Sequence, residues 1–279
     1  MKMKKLLLIS LAAMIAVACS KSDDEAAFVD CPDGTGIVSF GVAPSLEVEG
    51  TRAESIELPD GTTIPAGGDF TLSIVATNRD SSYTGGEWTS VNAFNENYKK
   101  TYFIAGDYDA TVTWGDPAEE GENKPYFKGE SQFNVLARQL VTVTIPAKLA
   151  NSIVKVEFSD KFKSYFENGA DFTITSGNGN TWDVDYDSTP YIFVESGKEV
   201  VISGGATKQK PSATVDAPFV KFDDVKKTLA ACTMYTYKYD VSTAGNVSVE
   251  ITITNEPTEE IPVGTEEMND DAIWEEPTE

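Results

Sequence analysis

The chain has 279 residues, 41% of them hydrophobic, and a formal charge of −23 from 45 acids against 22 bases. Such a length permits two domains of roughly 100 residues each plus a tail, and the hydrophobic share suffices for packed cores. The acid excess argues against nucleic acid or an anionic lipid surface as a partner, since both are held by clustered Lys and Arg. The chain contains no histidine, which excludes Ser-His and Cys-His nucleophilic dyads and every His-ligated metal site.

Residues 1–18 read as an export signal. Lys2, Lys4 and Lys5 precede an uncharged apolar run over Leu6–Ala18. That run is too short to span a bilayer and falls within the roughly 7–15 residues of a signal-peptide core. Ala16-Val17-Ala18-Cys19 resembles a bacterial lipobox, which makes Cys19 the acylated N-terminus of the mature chain. Loss of residues 1–18 removes three lysines and no acid, taking the charge from −23 to −26. In the acidic tether 19–33, Asp23, Asp24 and Glu25 resemble the signal that exports Bacteroidetes lipoproteins to the outer face of the outer membrane. The expected location is therefore the outer membrane, lipid-anchored and facing the cell exterior. The expected membrane contact is the N-terminal lipid itself. Cys31 and Cys232 remain in an oxidising compartment, where a disulfide is chemically allowed. Bridging requires Cα atoms within about 7 Å, and two separate buried thiols are the preferred alternative.

Beyond the tether, apolar residues alternate with period two. Phe70, Leu72 and Ile74 share one parity, as do Val141, Val143 and Ile145, and again Val247, Val249, Ile251 and Ile253. Alternation bounded by Gly, Asn and Pro predicts half-buried antiparallel strands. Helical patterning is confined to short pieces near Glu87–Lys99, Asp160–Phe166 and Asp223–Ala231. The order of features also repeats. Ile37-Val38 answers Ile153-Val154, GGDFTL (67–72) answers GADFTI (169–174), YFIAGDYDATVTW (102–114) answers YIFVESGKEVVIS (191–203), and VTVTI (141–145) answers VEITI (249–253). One order of strands and turns means one topology used twice. The expectation is an all-β chain of two tandem β-sandwich modules, Ig-like or transthyretin-like, at 34–148 and 149–255, joined end to end near Pro146–Asn151. The segment 256–279 carries ten acids and no base and is expected to be a disordered acidic tail.

KPYFKGESQFNV (124–135), VTVTIPAKLANSIVKVEFSDKFKSYF (141–166) and AACTMYTYKYDV (230–241) together resemble domain-of-unknown-function family 4493, found in Bacteroidetes surface lipoproteins. PYFKG and KLANS are the most specific pieces, and Thr51-Arg52-Ala53 also fits the family pattern. The resemblance spans roughly residues 34–255. It implies a surface β-sandwich protein and transfers no activity.

The remaining constellations carry little chemistry. Asp183, Asp185 and Asp187 open like a calcium loop, but Ser188 and Val194 stand where the sixth-position Gly and twelfth-position Glu belong. Alternation with Trp182, Val184 and Tyr186 instead predicts a strand with one aromatic and one solvated acidic face. Nothing singles out a catalytic pair among the acids, so no enzyme, metal or cofactor is expected. Trp114 and Trp182 are assigned to cores, whereas Tyr83 and Trp88, in a polar Gly-rich stretch, are the candidate glycan contacts. The reading is a non-enzymatic surface adhesion or structural binding protein, with a glycan or another surface protein as partner. Two alternatives stand beside it: a glycan-binding accessory of a polysaccharide-uptake system, and a fimbrillin-like pilus subunit matured by cleavage at Arg52. Glycan capture predicts an exposed aromatic platform, an adhesin a broad polar face or loop tips, and a pilin a removable strand.

Overall fold

The computed structural model describes residues 30–46, 58–77, 85–208, 218–241, 247–253 and 259–264. In the first half, alternation becomes β1 (Thr35–Ser45), β2 (Thr71–Ala76), β3 (Gly86–Trp88), β4 (Phe103–Ile104), β5 (Gly106–Trp114), β6 (Phe127–Val135) and β7 (Leu140–Leu149). They form one seven-stranded sheet in the order β3-β2-β5-β6-β7-β1-β4. β6 meets β7 only through Phe127–Gly129, and there the sheet turns a corner. Its two arms face each other across the core, so that Phe40 of β1 meets Phe133 of β6 edge-on at 5.4 Å. A short helix, α1 (Val91–Asn95), is capped by the Ser90 hydroxyl, which accepts from the Ala93 N–H. It delivers Phe94 into the same core, 5.2 Å from Phe40.

The second half contains β8 (Asn151–Phe158), β9 (Ala170–Thr175), β10 (Thr181–Val184), β11 (Ile192–Glu195), β12 (Glu199–Thr207), β13 (Phe219–Lys221), β14 (Val225–Thr228), β15 (Met234–Val241), β16 (Val247–Ile253) and β17 (Glu259–Gly264). One five-stranded sheet runs β10-β9-β12, with β13 and β14 both on β12, and the other runs β11-β8-β15-β16-β17. Aromatic rings fill the space between them: Phe172 lies 4.4 Å from Tyr239 and 6.0 Å from Phe222. The helix α2 (Asp160–Tyr165), capped by Ser159, adds Phe162 to this core. All-β architecture is therefore the observed class, with each half closing sheet on sheet.

The repeat holds in topology but not in every pairing expected from sequence. β1 runs parallel to β7 over nine residue pairs, and β8 runs parallel to β15. The counterpart of VTVTI is thus MYTYKYDV in β15, not VEITI, which lies in β16. Alternation fixes which face of a strand is buried and leaves its neighbour open. Strands β16 and β17 extend the second half and have no counterpart among the described residues of the first.

Two further expectations are corrected. Asp223–Ala231 forms β14 and a turn rather than a helix, because Val225 is taken into the core beside β12. The acidic segment 256–279 is not disordered throughout. Glu259–Gly264 pairs antiparallel with β16, Val263 is buried, and its carbonyl accepts from the Asp223 N–H at 2.9 Å. Val263, with the half-buried Ile261 beside it, supplies burial that offsets the local acid repulsion.

Candidate binding face

β2, β5 and β6 lie side by side, and one parity of each is committed to the core: Leu72, Ile74, Tyr108, Ala110 and Val112 are all buried. The opposite parity faces solvent and falls into cross-strand rows. From one end these are Thr71, Thr113 and Lys128; Ser73, Thr111 and Glu130; Val75, Asp109 and Gln132. A last row joins Thr77, whose N–H donates to the Asp107 carbonyl at 3.0 Å, with Asp107 and Asn134. The rows are knit by hydrogen bonds, with Thr71 Oγ1 and Thr113 Oγ1 2.6 Å apart and Lys128 Nζ 2.7 Å from Glu130. Val75, 58% exposed, is the apolar member of these rows. The result is a broad polar surface carrying both signs of charge, built on a rigid three-strand base.

At its Thr77 end the surface dips into an open groove of about 420 Å³, lined by Thr77, Asp107, Tyr108, Asp109, Gln132, Phe133 and Asn134. Beneath it, the Tyr108 hydroxyl donates to the Ile104 carbonyl at 2.9 Å, and its ring stacks on Phe133 at 5.5 Å. Asn134 Nδ2 donates to Asp107 Oδ1 at 2.6 Å. Asp109 Oδ1 is enclosed and accepts from no donor, the one carboxylate oxygen in that state among the described residues.

The candidates read from sequence are placed differently. Trp88 is not an exposed contact: it is half-buried at the end of β3, and its indole packs edge-on against Phe94 at 4.9 Å. The cause is register, since Trp88 lies opposite the core residue Leu72. Trp114 and Trp182 pack against the two cores as expected. Asp183, Asp185 and Asp187 are exposed while Val184 is buried, and the Asp185 carboxylate accepts from the N–H groups of Asp187 and Ser188 in a turn. The Cys31 and Cys232 thiols are both buried, and no disulfide joins them. Cys31 Sγ donates to the Thr35 carbonyl at 3.1 Å, and Cys232 packs into the first core. Cys19, Asp23, Asp24, Glu25, Arg52 and Tyr83 lie outside the described residues. The groove residues were missed because alternation marks Asp107, Asp109, Gln132 and Asn134 as outward without showing that β5 and β6 set them opposite each other.

A second polar cluster sits where the two halves meet. Glu120, in the loop between β5 and β6, accepts from Ser176 Oγ at 2.6 Å, Asn180 Nδ2 at 2.7 Å, Asn178 Nδ2 at 3.0 Å and the Glu195 N–H at 2.8 Å. Burial pushes its carboxyl up, but the Glu195 N–H and the three side-chain donors outweigh that and hold it below the usual glutamate value. Gly121 pairs with Phe193 in both directions at 2.9 Å, and Ile153, Phe193 and Cys232 complete the first core. The junction is therefore a continuous packed contact.

No curated protein matches the chain significantly. Among solved structures, a DUF1812 protein from Bacteroides thetaiotaomicron is similar at 12% identity and a TM-score of 0.44, covering 81% of this chain and 98% of its own. The fimbrial anchor protein Mfa2 from Porphyromonas gingivalis is similar at 12% identity and a TM-score of 0.37, covering 81% and 99%. A fimbrial assembly protein from Parabacteroides distasonis shows 9% identity and a TM-score of 0.37, covering 68% and 90%. The model of the domain of unknown function DUF4493 matches residues 34–267, and the chain belongs to that family.

Proposed function

We propose that the protein is a non-enzymatic adhesion or structural binding protein, tethered through Cys19 to the outer membrane and facing the cell exterior, with Asp23, Asp24 and Glu25 as its export signal. The observation that carries the reading is the outer face of β2, β5 and β6. It presents four rows of hydrogen-bonding side chains on a rigid base, as a contact surface for a polar partner does. Ligand capture by stacked aromatics has less support, since Trp88 is half-buried and packs edge-on against Phe94. The test compares cells carrying the protein, cells lacking it, and cells carrying Thr111→Arg with Glu130→Arg, on surfaces coated with mucin, laminin or fibronectin. Deletion is expected to reduce retention on at least one coating several-fold, with the double variant reproducing the loss while remaining folded. Equal retention by all three strains on every coating contradicts the reading.

A pilus subunit is the second reading, and β1 favours it. That strand ends at Ser45, ahead of Arg52, and places Ile37, Val38 and Phe40 in the core between β7 and β4. Its removal opens a groove that a strand of another subunit fills.

A further inference from the structure

We propose that the groove at the Thr77 end of this face is a binding site for a neutral saccharide, whose hydroxyls donate to Asp107 and Asp109 and exchange hydrogen bonds with Gln132 and Asn134. The inference rests on the binding-face reading and assigns that face its ligand class.

Volume is the first argument. At about 420 Å³ the groove is far larger than a single ammonium or metal ion requires, and it falls within the roughly 300–1,000 Å³ of small-molecule sites. The chemistry of the walls is the second. Two carboxylates offer acceptors, while two primary amides and the Thr77 hydroxyl offer both donors and acceptors. Sugar hydroxyls also donate and accept at once, so a mixed wall satisfies them where a purely acidic one does not. The carboxylates repel anions, and the net charge of −23 adds to that repulsion. Asn134 already donates to Asp107, so the pair is not left as a bare double negative charge awaiting a cation.

The third argument is the state of Asp109. Its Oδ1 is enclosed without a donor, a costly arrangement for a carboxylate in a folded chain. Nothing in the surrounding strands relieves it. Gln132 stands directly opposite in register and is exposed, and rotation of its side chain admits a ligand hydroxyl to that oxygen. Val75, opposite Asp109 in β2, is an exposed apolar neighbour of the groove rather than part of its lining. The Tyr108 and Phe133 rings are occupied with each other beneath the groove, so recognition is by hydrogen bonds and affinity is modest.

The experiment titrates the purified full-length protein by calorimetry with maltotriose, cellotriose, mannotriose, galactotriose and xylotriose, and separately with deca-lysine. At least one trisaccharide is expected to bind with a Kd of about 1 mM or tighter. Asp109→Asn and Gln132→Ala are each expected to weaken it at least tenfold, and Asp109→Asn to melt no lower than wild type because it removes the unpaired charge. Failure of all five sugars overturns the proposal, as does binding unchanged in both variants, or binding of deca-lysine alone. Loss of cell retention through Thr111→Arg with Glu130→Arg, without sugar binding, overturns the saccharide assignment and leaves the adhesion reading standing. Sugar binding with retention unchanged supports the saccharide assignment and overturns the adhesion reading alone.

Discussion

Glu120 shows how one side chain ties the two halves together. It is a first-half residue whose four hydrogen-bond donors all belong to the second half. Because its folded pKa is lowered, it contributes stability in full above the usual glutamate value of 4.5. That contribution is lost as the pH falls through its lower folded value. Glu120→Gln is therefore expected to lose about 1.5–3 kcal/mol at pH 7, toward the low end because the carboxylate is partly exposed. Urea melts at pH 7 and pH 3 check this, and the difference between the two proteins should be smaller at pH 3 than at pH 7. Tyr239 makes the opposite case. Its hydroxyl is buried among aromatic rings without a partner, and burial raises its pKa strongly. Tyr239→Phe should leave stability unchanged or raise it by about 1 kcal/mol, since an unsatisfied group is removed with little change in packing. A marked loss would mean that the hydroxyl has a partner in solution. Neither residue was legible in the sequence. Glu120 is one acid among many, and Tyr239 shares its parity with ordinary core residues.

At the scale of elements, the sequence was most informative where a strand has one buried face. Phe70, immediately ahead of β2, and Phe172, in β9, follow similar Gly-containing turns and are both fully buried, because turn and parity together fix the face. Neighbour choice was not legible, as the mismatch of VTVTI with VEITI shows, because both β15 and β16 alternate equally well. Composition also hid β17, since the segment 256–279 carries ten acids and no base and its apolar residues fall in short, separated pieces. Its role gives a direct prediction. Ending the chain after Asn255 removes the buried Val263, worth about 1.5–3 kcal/mol of hydrophobic burial, and the Val263–Asp223 hydrogen bond with it. A lower melting temperature is expected, whereas a purely solvated tail predicts no change. We also propose the modules 34–148 and 149–255, with the second extended to Gly264. Because Ile153, Phe193 and Cys232 complete the first core, fragment 30–150 should fold yet melt below the full chain in calorimetry.

At the scale of the whole molecule, two β-sandwich halves pack against each other and present a polar face, and the lipid tether proposed at Cys19 leaves that face open to a partner. The tethered and polymerising readings share every described strand and differ in the fate of β1. In the tethered protein β1 stays between β7 and β4 and keeps Ile37, Val38 and Phe40 in the core. In a pilus subunit it is cut away at Arg52 and replaced by a strand of another copy. The most direct measurement is intact-mass spectrometry of the protein released from its native cell surface. The account predicts a single population that begins at an acylated Cys19 and retains β1. A dominant species beginning at Ala53, together with ladders that survive mild denaturant, would contradict it.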